Sequence, residues 1–556
     1  MSAQQLITEH IDLWTATIKA KNTQGRGSSK KRELYGIKKL RELILELAVR
    51  GKLVSQDPND EPASELLKRI AAEKKQLISD KKIKKQKPFP GISSEEKPFD
   101  LPSGWEWCKL GDLVEMYNGR AFKSSEWEES GIPIVRIQNL NDENAGFNYF
   151  NGEVSEVNRI DNGSFLISWS GTPGTSFGAF VWSRGEAALN QHINNCIFNY
   201  SKLNLEFMRL AVNGCMNHFI SMAQGAVGLK HVTKGTLNNA IIGFPTEKEQ
   251  HRIVAKVDEL MALCDQLEQQ TESSLDAHNL LVDTLLSTLT NARDAKELSD
   301  NWARLADHFD TLITTDYAVE QLKQTIFQLA VMGKLVPQDP NDEPASELLK
   351  RIAAEKSLLI KGKKVKTQKP LPKITDEEKL FVLPVGWEWV RLGTLYEMKY
   401  GDNLPKTKRS ETGEYPVYGS NGIVGSHNEC CIGEPCIVIG RKGSAGALNL
   451  CSHNGCWVTD VAYSVVPPKD LDINFVFKSF HTMNLDALGK GIKPGLNRNE
   501  AYVLVLAIPP LPEQRRIVAK VDELMALCDQ LKTQLKDAQT IQLHLSDAVV
   551  ENALTA

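Results

Sequence analysis

At 556 residues, with 41% hydrophobic and 24% charged side chains, the chain exceeds what one ordinary core supports and calls for two to four domains. A net charge of −4 and a pI of about 6.3 carry no global signature of nucleic-acid binding, so any grip on phosphate must be local or come from a partner. No apolar run is long enough to span a bilayer, and ten irregularly spaced cysteines point to a reducing cytoplasm, not a disulfide framework.

In chain order, MSAQQLITEHIDLW lacks a basic segment followed by an apolar stretch, so no secretory signal is expected. KNTQGRGSSKKR (21–32) reads as a disordered basic loop. Ile37, Leu40, Ile44 and Leu47 mark one apolar face of a helix over 37–51. In QDPNDEPASELLKRIAAEK (56–74), Asp60 and Pro62 suit a helix start, and Leu66, Leu67 and Ile70 supply its apolar face. The lysine run KKIKKQK (81–87) reads as a solvated linker, with a phosphate-contacting tether as the alternative. LPSGWEWCKLGDL (101–113) then opens a segment, about 114–246, holding SGIPIVRIQNL, SWSGTPGTSFGAFVW and ALNQHINNCIF. Its short β-branched and aromatic runs between Gly, Asn and Ser turns predict a mixed α/β globule. Thr246 and Glu249 make a capping-box pattern before a helix whose seam is Ile253, Val257, Leu260, Cys264 and Leu267.

The same frame then recurs. Val319, Leu322, Ile326 and Leu329 echo the first helical face, and QDPNDEPASELLKRIAAEK returns letter for letter at 338–356. Around it, residues 48–74 and 330–356 differ only at Arg50/Met332 and Ser55/Pro337. A second lysine run, KGKKVKTQK (361–369), precedes LPVGWEWVRLGTL (383–395), and RRIVAKVDELMALCDQL (515–531) matches HRIVAKVDELMALCDQL (251–267). Pro512 and Glu513 occupy the first turn of that last helix, and its seam is Ile517, Val521, Leu524, Cys528, Leu531, Leu535 and Ala538. Between these frame segments the second insert, about 396–510, carries GEYPVYGSNGIVGS, CIVIGRKGSAGALNL and GCWVTDVAYSVV and looks unrelated to the first. It too reads as a mixed α/β globule.

A duplicated frame with unlike inserts predicts an α/β (mixed α+β) protein: two globular heads separated by two long helices packed as an antiparallel coiled coil, with a pseudo-twofold internal repeat. The expected boundaries are 1–100 for the first frame copy with its basic linker and 101–246 for the first head. The central frame follows at 247–382, the second head at 383–510, and the closing coiled-coil helix at 511–556. A helix over 512–538 would be ~40 Å long at 1.5 Å per residue, close to one turn of B-DNA at about 34 Å.

Catalytic signatures are missing: there is no GxxxxGK[ST], no GxGxxG after a strand, no HExxH, and no Asn/Asp-Pro-Pro-aromatic tetrapeptide. GTPGTSFG (171–178) lacks the lysine and following helix of a phosphate loop and reads as a turn. GRKGSAG (440–446) sets Arg441 and Lys442 at the end of an apolar strand, either as a basic hairpin turn or as a loop entering a DNA groove. The second insert also holds Cys430, Cys431, Cys436, Cys451 and Cys456, with His427 and His453 nearby. Cys431/Cys436 and Cys451/Cys456 each enclose four residues, within finger-like range, but the reading preferred here is buried free thiols with no metal assigned.

The repeated frame, the two unlike inserts with their closing prolines (FPTEKEQHRIV, IPPLPEQRRIV), and the patterns GIPIVRIQNL, YGSNGIVG and GRKGSAG resemble the specificity subunit of a Type I restriction–modification enzyme. The blocks around QDPNDEPASELLKRIAAEK resemble its EcoAI-like, type IB branch. The resemblance implies a noncatalytic cytoplasmic subunit that binds double-stranded DNA, each insert being a target recognition domain for one half of a bipartite, asymmetric site. It also implies a frame that sets the gap between halves and docks two methyltransferase subunits, with two restriction/translocase subunits added in the full complex. S-adenosylmethionine, ATP and Mg²⁺ would reside on those partners, and no cofactor on this chain. Pro245-Thr246 in place of Pro509-Pro510 departs between the two copies and is expected to alter a turn, not a role.

Donor-bearing residues in turns give the candidate DNA readers: Arg136, Gln138, Asn139, Ser170, Thr172, Lys230 and His231 in the first head. In the second they are Tyr418, Ser420, Asn421, Arg441, Lys442, Ser444 and Lys493. The competing expectation is a noncatalytic two-headed coiled-coil scaffold that binds proteins or glycans.

Overall fold

The helical period of YGIKKLRELILELAV winds residues Tyr35–Val49 into a helix that buries Ile37, Leu40, Leu43, Ile44 and Leu47. Its twin, Asp316–Val331, buries Val319, Leu322, Ile326 and Leu329. Both end at a glycine with positive φ, Gly51 at 69° and Gly333 at 68°. There the Lys52 and Lys334 amides return to the carbonyls of Leu47 and Leu329 at 2.9 Å, a Schellman closure that favours glycine. This computed structural model describes residues 3–20, 32–171, 177–215, 230–362, 370–489 and 495–555.

The chain divides into two compact units, residues 1–273 with 539–556, and residues 274–538. Two long helices, Glu247–Thr290 (44 residues) and Leu511–Thr555 (45 residues), each contribute to both. Each unit therefore holds the start of one long helix and the end of the other. In the first unit the Tyr35 hydroxyl donates to Asp547 at 2.8 Å, and Thr17 and Ser546 share a buried hydroxyl pair at 3.0 Å. In the second, Tyr317 donates to Asp283 at 2.7 Å, and Lys334 Nζ to the Thr290 carbonyl at 2.6 Å.

The first long helix runs well beyond its expected apolar seam, whereas the second spans Leu511–Thr555. The first continues well past Leu267 through Gln269, Gln270 and Glu272, where good helix formers carry it without an apolar seam. It then presents Val282, Leu286 and Leu289 to the core of the second unit. Along the expected seams, Ile253, Val257, Leu260, Cys264, Ile517, Val521 and Cys528 are buried, and Leu267, Leu524, Leu531 and Leu535 are half-buried. At ~1.5–3 kcal/mol per fully buried aliphatic side chain, these contacts are a principal anchor of each long helix.

The two inserts, unlike in sequence, have the same topology. In the first head a four-stranded antiparallel sheet orders Gly178–Val181, Phe165–Ser168, Ile193–Phe198 and Val114–Asn118. In the second the order is Leu448–Cys451, Cys436–Gly440, Ala462–Val465 and Lys399–Tyr400. A second sheet pairs Ile132–Val135 parallel to Ala187–Leu189, as Tyr415–Gly419 pairs with Trp457–Val458. A third ribbon joins the GWEW strand to the strand before the long helix: Glu106–Lys109 with Ile241–Phe244, and Glu388–Arg391 with Val505–Ile508. The inner strands Phe165–Ser168 and Cys436–Gly440 are buried at every position, which explains their apolar runs FLI and CIVI.

The repeated nineteen residues clasp the start of each long helix. Ala63 N–H donates to the Gly104 carbonyl at 2.9 Å, and Ala345 N–H to Gly386 at 2.8 Å. Gln56 donates to Glu249 at 2.7 Å and Gln338 to Glu513 at 3.2 Å. Burial raises both glutamate carboxyls above the ordinary carboxylate range. Thr246 caps the helix through Glu249 N–H at 3.1 Å, as its sequence pattern suggests, while Pro510 stands in that place in the second unit and offers only its carbonyl, to Gln514 N–H at 3.0 Å. Gln250 and Gln514, both fully buried, accept from the backbone N–H of Asn204 (3.3 Å) and Asp472 (3.0 Å), which tethers each head to its long helix.

Candidate nucleic-acid interface

Equivalent backbone bonds place the same three loops side by side in each head. Trp169 N–H donates to the His192 carbonyl at 3.3 Å, and Arg441 N–H to Val461 at 2.9 Å. Asn190 N–H reaches the Val135 carbonyl at 3.1 Å, and Thr459 N–H that of Tyr418 at 3.0 Å. The middle loop, 190–192 or 459–461, thus bridges the loop after the first parallel strand and the loop after the inner antiparallel strand. A short third segment closes the edge: Val232 N–H donates to Trp169 O at 3.0 Å, and Leu496 N–H to Arg441 O at 2.9 Å. Even a buttress recurs, since Lys234 Nζ donates to the Met116 carbonyl at 2.5 Å and Arg498 to that of Met398 at 3.1 Å.

In the first head Arg136 is half-buried, with its guanidinium 5.1 Å from the Trp127 ring centroid and its Nε without a partner among the described residues. Gln138 beside it is exposed. Asn139 is not available as a reader. Its Oδ1 accepts from Arg136 N–H at 3.0 Å, and its Nδ2 donates to the Ala145 and Gly146 carbonyls at 3.1 Å, so the amide serves the turn itself. Ser170 and His231 lie opposite each other in a two-stranded ribbon, with Lys230 opposite Gly171. Thr172 lies outside the described residues.

In the second head, Ser420 and Asn421 form the turn between Tyr415–Gly419 and Gly422–His427, with Asn421 exposed. Gly440 packs so closely on the Ser420 and Ser444 carbonyls that a side chain there would overlap them, so this turn and the GRKGSAG loop abut. Lys442 is exposed, whereas Arg441 is half-buried with its guanidinium carbon 4.9 Å from the Tyr400 centroid and 6.0 Å from that of Tyr463. Its Nε has no partner among the described residues. Tyr418 faces inward, 5% exposed, with its hydroxyl 3.5 Å from the Leu450 carbonyl, and so supports the loop from beneath instead of reading from it. Lys493 lies outside the described residues.

The family model described as the Type I restriction modification DNA specificity domain matches residues 102–277 and 384–538, the two heads with the first parts of their long helices. Over the full length of both proteins, the chain is 40% identical to the Escherichia coli Type I restriction enzyme EcoAI specificity subunit across 598 aligned residues. It is 39% identical, again end to end, to the EcoEI specificity subunit of the same organism. The chain belongs to the specificity subunits of Type I restriction enzymes. Among solved structures, the HsdS subunit from Thermoanaerobacter tengcongensis aligns over 82% of this chain and 98% of that one, at 17% identity and a TM-score of 0.39.

Sequence reasoning about this specificity subunit missed four residues that the fold adds to the loop edge. Tyr400, 50% exposed, is flanked by Arg441 and by Arg498, whose guanidinium carbon lies 4.6 Å from its centroid. Guanidinium groups packed against a phenol ring are a surface suited to bases and phosphate. Tyr463 beneath is held neutral by burial, its phenol pushed up to about 12, and donates to the Leu496 carbonyl at 3.0 Å. In the middle loop, Gln191 of the first head, exposed, corresponds to Asp460 of the second. Only the short polar break between two apolar runs, NQH and TD, marked that loop in the sequence.

Proposed function

We propose that each head reads one half of a bipartite, asymmetric DNA sequence through this loop edge. The observation that carries the reading is one scaffold presenting different side chains at matched positions: Trp169 against Arg441 and Gln191 against Asp460. The same edge would then meet DNA in the same way at both half-sites and ask for different bases. Arg136, Gln138 and Gln191 serve the first half-site; Ser420, Asn421, Arg441, Lys442 and Ser444 serve the second. Each mismatched pair would cost about 1–3 kcal/mol, and the two half-sites would add.

In this reading the long helices set the unread gap, and the twice-presented frame surface docks two methyltransferase subunits, with two restriction/translocase subunits completing the complex in the cytoplasm. S-adenosylmethionine, ATP and Mg²⁺ belong to those partners, and adenine methylation and cleavage occur there. No helix among the described residues is long and apolar enough to cross a membrane. The net charge of −4 fits a subunit whose partners share the phosphate contacts.

The test is methylome sequencing of cells expressing the chain with its methyltransferase partner. A bipartite methyl-adenine motif with unlike halves is expected. Absence of any motif, with the partner shown to be active, would overturn the reading.

A further inference from the structure

In the second head three sulfurs converge, two from paired strands and one from the bridge residue that precedes a third strand. Cys436 and Cys451 are directly opposed across the antiparallel pair Cys436–Gly440 and Leu448–Cys451. Cys456 joins them just before Trp457–Val458, held by its amide to the Ile432 carbonyl at 2.9 Å. All three are fully buried, their sulfurs lie within 4.8 Å of one another, and Cys436 and Cys456 Sγ are 3.6 Å apart. Four thiolates around a tetrahedral zinc at ~2.3 Å would have sulfur–sulfur edges of about 3.8 Å. A disulfide would need ~2.05 Å, and three thiols cannot all pair.

The trio is not imposed by the fold. Matching the backbone bonds of the two heads, the corresponding positions in the first are Ser164, Trp182 and Ala187, with Trp182 N–H on the Ser164 carbonyl at 2.8 Å. There the buried indole of Trp182 fills the interior. The second head puts nothing larger than cysteine at any of the three positions. Of the pairs suggested by spacing, Cys451/Cys456 falls within the trio, whereas Cys431/Cys436 does not form, because strand pairing joins Cys436 to Cys451 and leaves Cys431 at the margin. Cys431 packs on the same cluster with its sulfur outside the 4.8 Å group, and that sulfur accepts the Val458 N–H at 3.2 Å, the kind of outer hydrogen bond that orients a metal-bound thiolate.

We propose that Cys436, Cys451 and Cys456, with Cys431 as the fourth ligand, form a structural zinc site in the second head. Binding would release a proton from each ligated thiol and tie three strands and the 428–435 loop into one unit. The strand that begins at Cys436 runs directly into Arg441 and Lys442, and Tyr418 packs on the same cluster, so the ion would stiffen the base of the proposed reading loops. The site stands whether or not those loops read DNA.

The full-length chain, purified without metal-affinity steps, is assayed for bound metal by mass spectrometry of the elements. About one zinc per chain is expected, falling at least tenfold in Cys436→Ser and in Cys451→Ser and retained in Cys430→Ser. Cys431→Ser is expected to lose zinc as well; full retention there would remove Cys431 from the ligand set. Because a core variant could fail to fold, the wild-type chain is also stripped with chelator and titrated with Co²⁺. One equivalent should give the tetrahedral cobalt–thiolate absorption. A zinc-free wild-type chain with no cobalt spectrum, or a disulfide between Cys436 and Cys456 found by peptide mapping, would overturn the proposal.

Discussion

The carboxylate of Asp60, 3% exposed, receives the guanidinium of Arg252 at 2.7 Å and the hydroxyl of Thr246 at 3.2 Å. This one acceptor fastens the repeated block to the first turn and a half of the long helix. In the second unit Asp342 takes Arg516 at 2.7 Å, but Pro510 replaces the hydroxyl. Because each arginine is 36% exposed, solvent moderates the loss. Asp60→Asn should cost about 1.5–3 kcal/mol, and Asp342→Asn about 1 kcal/mol less, having one bond fewer to lose. Denaturant midpoints of the two variants check the order. Equal effects would show that the Thr246 hydroxyl contributes nothing.

A pH dependence follows from Glu378. It accepts both arms of Arg391 at 2.6 and 2.7 Å and the Thr375 amide at 2.9 Å, and the guanidinium bond first, then the amide, bring its carboxyl down to about 2. The folded state therefore binds fewer protons than the unfolded chain between about 2 and the ordinary glutamate value near 4.3. The stabilisation is fully present above that ordinary value and is lost as pH falls through the window. Between pH 5 and pH 3 the melting temperature of wild type should fall more steeply than that of Glu378→Gln. Parallel slopes would contradict the ion pair.

On the proposed reading face, Arg441 and Lys442 should separate cleanly. Arg441→Ala removes a planar donor packed against Tyr400 and is expected to cost about 1–3 kcal/mol in binding and to relax the methylated motif in one half only. Lys442→Ala, an exposed point charge, should weaken binding across sequences and lower the salt slope by about 1. Salt-dependent DNA titration of the assembled methyltransferase measures both. A motif relaxed in both halves would separate these residues from a single half-site.

Gly119 and Gly401 test the shared scaffold. Each sits so close to a middle-loop carbonyl, Asn190 or Thr459, that a methyl group would overlap the oxygen. Alanine at either should cost about 1–3 kcal/mol or more and displace only its own head's middle loop. Gly119→Ala is thus expected to blur one half of the motif and Gly401→Ala the other, read from the methylome.

The frame was legible because two signals agreed there: a helical apolar period and near-identity between copies. Ile253, Val257, Leu260 and Cys264 are buried as their spacing requires. The kinship of the heads was hidden because backbone bonds fix it, and Trp169 or Arg441 can donate the same N–H with unrelated side chains. Of the chosen readers, Asn139 shows why turn chemistry misleads: an amide after a strand looks exposed, yet its own turn consumes both of its polar atoms. Tyr400 and Arg498 were missed because they lie 41 and 57 residues from Arg441 and Tyr400-type stacking leaves no periodic trace.

The clamp formed by Gln250 and Gln514 at the foot of each head has a combinatorial consequence. Whatever globule ends in the right strand and offers the right backbone amide to that glutamine can be seated in either position. A repertoire of interchangeable heads then yields ordered pairs in number equal to its square. New addresses on a genome could arise by reshuffling existing halves, with no new recognition surface having to evolve.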